Sequence, residues 1–167
     1  MVDVAQEMQD SRTRQWQHVV QRYAEKSQYD TAIDIGSGNG LSAYSIAVSG
    51  NGGIISVDPE YSGSVETMAR NNGYIDRLDY INKTSKEFFG QATRMYAFDF
   101  ACIDGSKDYE DVFYDLENCW STLRDGGYVV CNDYGTFEQV KKAVEMFANS
   151  NDLDFTTDND KAVFHNA

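Results

Sequence analysis

The chain predicts an α/β fold: a doubly wound, mostly parallel seven-stranded sheet with helices on both faces and a C-terminal antiparallel hairpin. Three observations carry that expectation. Strand-like apolar runs alternate with helix-spaced patterns along the whole length, no repeat or low-complexity linker interrupts them, and 167 residues suffice for one core. Strands that alternate with helices need right-handed crossovers, which make the sheet parallel. Residues 1–167 therefore read as one domain, with 1–28 as an N-terminal helical cap.

The first helix is expected over about 4–27, where Trp16, Val19, Val20 and Tyr23 share one stripe at helical spacing. A strand at 31–35 follows, then a helix over about 40–49, a glycine-rich stop at Gly50–Gly53, and the strand Ile54–Asp58. That is a complete βαβ unit. The next helix, about 62–71, carries Val65, Met68 and Ala69 and stops at Asn72-Gly73, a left-handed C-cap signal. Strand three covers about Leu78–Asn82. A short helix, Ser85–Gln91, leads to the apolar strand Ala97–Ile103, after which Val112, Leu116, Cys119, Trp120 and Leu123 line one helix face. Asp125-Gly126-Gly127 turns into the strand Tyr128–Cys131, and Phe137, Val140, Val144 and Phe147 mark the last helix. Residues 153–157 and 161–165 read as the closing hairpin across Asp158–Asp160.

Bulk properties exclude several classes. A net charge of −13 opposes a phosphate backbone, and the basic cluster Arg12, Arg14, Arg22 and Lys26 is interleaved with Glu7, Asp10 and Glu25. Nucleic acid is not an expected partner, and that cluster reads as a solvated helix face. No apolar run is long enough for a bilayer, so no membrane partner is expected. Met1–Asp10 is polar and acidic, unlike a secretory signal, which makes the cytoplasm the expected location. Cys102, Cys119 and Cys131 lie in apolar patterns without metal-binding spacing and read as buried, reduced thiols.

The chemistry concentrates where strands end. In Thr31–Gly40 an apolar run ends in an acid, Asp34, and glycines at 36, 38 and 40, which lets a ligand approach the main chain at a strand-to-helix turn. The third glycine of a dinucleotide fingerprint is replaced by Leu41, which disfavours NAD, and no lysine follows Gly40 as a P-loop requires, which disfavours ATP. The first, second, fourth and fifth strands place Gly36, Asp58, Asp104 and Asp133 at the same edge of the sheet.

Asp34-Ile-Gly-Ser-Gly-Asn-Gly40 resembles the first motif of the class I S-adenosylmethionine (SAM) methyltransferases, and Thr31 to about Tyr134 resembles their small O-methyltransferases, of the catechol type or related. The resemblance implies a Rossmann-like sheet with SAM as cofactor. It implies that Asp34, Gly36, Ser37, Gly38 and Gly40 surround the methionine half, that Asp58 holds the ribose hydroxyls, and that Ser85, beside Thr84, lies at the adenine edge unless it serves as a helix N-cap.

Asp104 and Lys107, within Phe98–Tyr109, match the family's fourth-strand Asp followed three residues later by Lys or His. In the metal-dependent branch this Asp joins an Asp-Asn pair to hold Mg²⁺, which here points to Asp104, Asn132 and Asp133, and the Lys takes the acceptor's proton. The order Asn132-Asp133 is reversed relative to the catechol enzymes and closer to a second branch ending in a polar residue and Asp-Tyr. Mg²⁺ thus stays open. Without it, Asp104 is expected to bind the cofactor's ammonium and Asp133 to cap the next helix. Lys107 is the expected base, its pKa lowered by a cation or burial, unless a metal acidifies the hydroxyl directly.

The expected function is methyl transfer from SAM to the hydroxyl of a small molecule. A SAM-binding module, or an enzyme that uses SAM on the same fold without transferring methyl, is the alternative. Trp16, Tyr61, Tyr109 and Tyr134 are the aromatic candidates for the acceptor slot, and a homodimer remains open as a way to complete it.

Overall fold

The computed structural model describes residues 11–92 and 96–167. Its elements are α1 (Ser11–Ser27), β1 (Thr31–Ile35), α2 (Leu41–Ala47), β2 (Gly53–Val57), α3 (Ser64–Asn71), a 3₁₀ turn (Ile75–Arg77), β3 (Leu78–Ile81), α4 (Ser85–Ala92), β4 (Phe98–Ile103), α5 (Tyr109–Ser121), β5 (Leu123–Cys131), α6 (Glu138–Asn151), β6 (Thr156–Asp158) and β7 (Lys161–His165). The part of the expected first helix before Ser11 lies outside the described residues.

One seven-stranded sheet runs β3-β2-β1-β4-β5-β7-β6. Pairs among β1 to β5 are parallel, and β7 is antiparallel to both β5 and β6. This is the doubly wound architecture expected from the alternation of elements. Side chains alternate across each strand, so Ile33 and Ile35 face one side of β1 while Ala32 and Asp34 face the other. Val19, Val20, Ala43, Ile46 and Val65 from α1, α2 and α3 pack over Ala32, Ile54, Phe100 and Cys102. On the opposite face Phe88, Leu116, Val144 and Phe147 from α4, α5 and α6 cover Ile33, Ile35, Ile103 and Val129. With helices on both faces, the middle strands are buried on both sides, which explains their near-continuous apolar sequences.

Three details depart from the sequence reading. Leu123 leaves the α5 stripe and starts β5, because the turn expected at Asp125–Gly127 is a bulge inside that strand. The register moves from Phe98↔Leu123 to Phe100↔Tyr128. Asp99 anchors the distortion, accepting from Arg124 Nη1 and from the amides of Asp30 and Thr31, while Gly126 adopts φ 83°. Phe137 precedes α6 and is 43% exposed, so Val140, Val144 and Phe147 form the buried stripe without it. The hairpin turns on Asn159 and Asp160, both at positive φ, and β6 is shorter than the predicted strand.

The three cysteines are free and buried. Among the described residues no helix is long and apolar enough to cross a membrane.

Successive crossovers leave β1 in opposite directions at its border with β4, which opens a crevice beyond their carboxyl ends. Gly36 and Asp104 stand at that border.

Candidate functional site

Asp34 lies beneath the glycine loop and holds it from inside. Its oxygens accept from Ser42 Oγ at 2.7 Å, Ser56 Oγ at 3.0 Å and Cys102 Sγ at 3.3 Å, so α2, β2 and β4 are tied to β1 at one point. The carboxylate is 0% exposed and lines neither cleft, so it braces the loop and does not face a ligand. Burial pushes its pKa up, against the pull of Ser42, Cys102 and Ser56.

Above it, Gly36 has φ 83°, and a Cβ there would overlap the Asp104 carbonyl and the Gly105 nitrogen. Only glycine lets β1 and β4 approach so closely at their ends. Gly40, at φ 96°, precedes α2 and packs on the Val65 backbone.

Two clefts open on either side of this loop. The first, about 420 Å³, is lined by Ser37, Asn39, Arg12 and Trp16, by the strand-end residues Asn132 and Asp133, and by Lys161. The second, about 580 Å³, is lined by Asp58, Glu60, Thr84, Ser85, Asp111 and Asp115. Gly36, Gly38 and Asp104 line both, so the clefts meet at the β1–β4 border. Each has the size of a small-ligand pocket.

In the second cleft Asp58 is held in place by amides. Gly38 N donates to its Oδ2 at 2.9 Å and Glu60 N to its Oδ1 at 2.8 Å, while Asn82 Nδ2 donates to the carbonyls of Asp58 and Pro59. The carboxylate keeps free lone pairs for a hydroxyl donor. Thr84, not Ser85, caps α4. Its amide and hydroxyl bond Glu87, and Glu87 N returns a bond to Thr84 Oγ1, a capping box that leaves Ser85 on the cleft wall. Phe88 and Phe89 enter the core.

Asp115 projects from α5 into the lining of the same cleft, and its Oδ1 is buried with no hydrogen-bond partner among the described residues. Burial raises its pKa to about 7, with Ser85 pulling it down, Asp111 pushing it up and Lys86 pulling it down. Sequence reading missed Asp115 because it looks like any acid on an amphipathic helix.

Where the strands of the first cleft end, Lys107 bridges two carboxylates, with Nζ at 2.7 Å from Asp104 Oδ1 and 3.0 Å from Asp133 Oδ2. Asn132 Nδ2 donates to Asp104 Oδ1 at 2.9 Å, and Asn132 Oδ1 accepts from Asp133 N at 2.9 Å. The sequence thus identified a cluster that the fold brings together. Burial draws the Lys107 pKa down, yet Asp104 and Asp133 outweigh it and the net shift is upward. That upward shift favours the ammonium form and is opposite to the lowering expected from the sequence. Burial raises Asp104, against Lys107 and Asn132.

The set Asp104, Asn132 and Asp133 is not, in this arrangement, an open oxygen shell for Mg²⁺: a cation would have to displace Lys107. The ammonium stands between the two carboxylates, and the amide oxygen accepts one bond from the Asp133 N–H. No cluster of three or more His, Cys, Asp or Glu side chains suited to a metal occurs among the described residues. Asp133 does not cap α6 with its side chain, since Phe137 occupies that position.

Arg12, read from sequence as part of a solvated face, reaches the site. Its Nη2 lies 3.5 Å from Asp133 Oδ1 and 3.4 Å from Thr136 Oγ1. Arg22 pairs with Asp158 and Lys26 lies over Tyr23, as surface charges do. Of the four candidate aromatics only Trp16 lines the first cleft. Tyr61 is exposed, while Tyr109 and Tyr134 pack against the core.

A family model described as a methyltransferase domain matches residues 33–134, from the middle of β1 to the residue after Asp133. The chain belongs to this methyltransferase-domain family. The matched stretch contains the glycine loop, Asp58, Thr84, Ser85, Asp104, Lys107 and Asp115, that is, one cleft whole and the junction with the other. No curated protein sequence matches the chain.

Solved structures share the fold. The O-methyltransferase TomG from Streptomyces achromogenes, in complex with SAM, superposes with TM-score 0.72 at 13% identity, covering 91% of this chain and 80% of that one. The cofactor-bound Rv0187 from MTB gives TM-score 0.76 at 16% identity over 98% of this chain and 85% of its own. The O-methyltransferase from Bacillus cereus, in complex with SAH, gives 0.66 at 16% identity, covering 89% and 78%. This methyltransferase-domain protein therefore shares the fold of those structures, with Arg12, Trp16 and Lys161 outside the family match.

Proposed function

We propose that this methyltransferase-domain protein transfers the sulfonium methyl of SAM to a hydroxyl of a small molecule. The meeting of two clefts at Gly36, Gly38 and Asp104 carries the reading, because it provides one continuous trough with an acid fixed at each side of a glycine bend. In that trough Asp58 holds the ribose diol, Thr84 and Ser85 face the adenine edge, and Gly36, Ser37, Gly38 and Gly40 border the methionine half. Asp34 acts from below, by fixing the loop. SAM supplies an electrophilic methyl when bound, so the protein has to align the acceptor and manage its proton.

Lys107 takes the second task indirectly. Protonated and shared between Asp104 and Asp133, it fixes both carboxylates, and Asp133, whose carboxylate lines the first cleft where the acceptor hydroxyl belongs, takes the hydroxyl proton as the methyl leaves the sulfonium and SAH is formed. Lys107 is thus a positioning residue. Trp16 offers a flat apolar wall to the acceptor.

Calorimetry with SAM, followed by detection of S-adenosylhomocysteine (SAH) release with phenols, catechols, hydroxy acids and sugars, tests the proposal. Heat of binding and SAH with at least one acceptor class is the expected result. Binding without product from any acceptor favours a SAM-binding module, and no heat at millimolar SAM refutes the reading.

A further inference from the structure

Lys161 is the first residue of β7, whose antiparallel pairing of Ala162 with Cys131 sets it beside the strand end that carries Asn132 and Asp133. It is 3% exposed and yet lines the first cleft. Its ammonium has neither a carboxylate at salt-bridge distance nor a hydrogen-bond acceptor among the described residues, although the chain carries 27 acids against 14 basic residues. The neighbouring acids are committed elsewhere. Asp104 and Asp133 are bridged by Lys107, Asp133 also meets Arg12, Asp158 pairs with Arg22, and Asp160 accepts from Thr136 Oγ1.

A buried ammonium without a counterion is costly, and such a group is retained where a ligand completes it. The other lining groups fit a ligand that ends in an anion. Trp16 is a buried aromatic wall, Ser37 and Ser42 are small and polar, and Arg12 adds a second cation at the rim. We infer that Lys161 forms a carboxylate-binding subsite in the first cleft, with Trp16 packing on the group that bears the carboxylate. The carboxylate belongs either to the amino-acid end of the donor or to an acidic acceptor. The inference rests on the first cleft holding the methionine half of SAM and the acceptor, as proposed above.

Two probes separate the sources. SAM and decarboxylated SAM are titrated calorimetrically into wild type, Lys161→Met and Lys161→Arg, and benzoate is titrated into the same proteins both ligand-free and loaded with SAH. If the donor supplies the carboxylate, wild type and Lys161→Arg prefer SAM to its decarboxylated form by roughly 10- to 100-fold, as a hydrogen bond to a charged group implies, and Lys161→Met loses that preference. If the acceptor supplies it, SAM affinity is unchanged in Lys161→Met while benzoate binding to SAH-loaded protein falls by a similar factor.

Lys161→Met is expected to melt no lower than wild type, because it removes an unpaired buried charge. Unchanged SAM preference together with unchanged or absent benzoate binding overturns the inference. A wild type that ignores SAM but binds benzoate through Lys161 refutes the proposed function and leaves the anion subsite standing.

Discussion

Asp115→Asn tests whether the second cleft holds a destabilising acid. In the folded chain burial moves the Asp115 titration from 3.8 to about 7, and its Oδ1 has no hydrogen-bond partner among the described residues. The folded state therefore binds this proton more tightly than the unfolded state. The stability it contributes is complete below the unfolded value and is lost as pH rises through about 7. About three decades at about 1.4 kcal/mol each amount to roughly 4 kcal/mol lost between acid and mildly alkaline pH. For a domain of this size about 1 kcal/mol corresponds to 2–4 °C, so the Asp115 contribution is on the order of 10 °C in Tm.

Asparagine is nearly isosteric and does not ionise. The ligand-free variant should melt close to wild type at pH 4.5, where the acid is neutral, and above it by on the order of 10 °C at pH 8.5. Melting both proteins across that range, by circular dichroism in one buffer series, gives the difference directly and cancels the other titrating groups. A Tm difference that stays constant with pH refutes the claim that burial raises Asp115.

Further consequences follow from the same geometry. Gly36→Ala should lose about 2–5 kcal/mol of stability in denaturant unfolding, because its Cβ meets the Asp104 carbonyl, whereas Gly38→Ala, with nothing within 4 Å of the added carbon, should lose about 1 kcal/mol; equal losses contradict the close approach. Lys107→Arg should retain most turnover and Lys107→Met should not, since arginine replaces the cation but cannot act as a base; loss as complete in Lys107→Arg restores the general-base role. Prior treatment with EDTA should leave SAH formation unchanged, and a loss reversed by Mg²⁺ would contradict the Lys107-bridged carboxylate pair.

The fold was legible in the sequence because periodicity reports burial, and the burial here is regular. Strands covered on both faces read as apolar runs, and helices read as single stripes. Where the chain departs from regular pairing the pattern misled. The glycines at 126 and 127 signal a turn, and only the partner strand reveals that the turn is a bulge anchored by Asp99. The strand-end residues Gly36, Asp58, Asp104 and Asp133 were legible for a topological reason, since a parallel sheet delivers all its carboxyl ends to one edge.

Their ionisation was not legible, because a pKa depends on which charges approach through space. The spacing of Asp104 and Lys107 suggests a base with a lowered pKa, whereas the Asp104 carboxylate and, after it, Asp133 hold the ammonium's pKa up against burial. Arg12 and Lys161 were invisible for a related reason. They stand more than 100 residues apart in sequence and reach the first cleft from α1 and β7.

Charge balance sorts the residues of the two clefts by role. Asp34 spends its oxygens on two hydroxyls and a thiol, Asp104 and Asp133 share Lys107, and Asp58 is held by two amides. Those partners keep each group in place whether or not a ligand is present, which suits the task of shaping a site in advance. Asp115 and Lys161 are different, being buried, lining the clefts and lacking ion-pair partners among the described residues, one acidic in the second cleft and one basic in the first. The fold carries the cost of both in the free state. A ligand long enough to span the Gly36–Asp104 junction, with a hydrogen-bond donor at one end and an anion at the other, would recover both costs at once. Tight binding by the whole ligand and weak binding by either half are therefore expected of this trough.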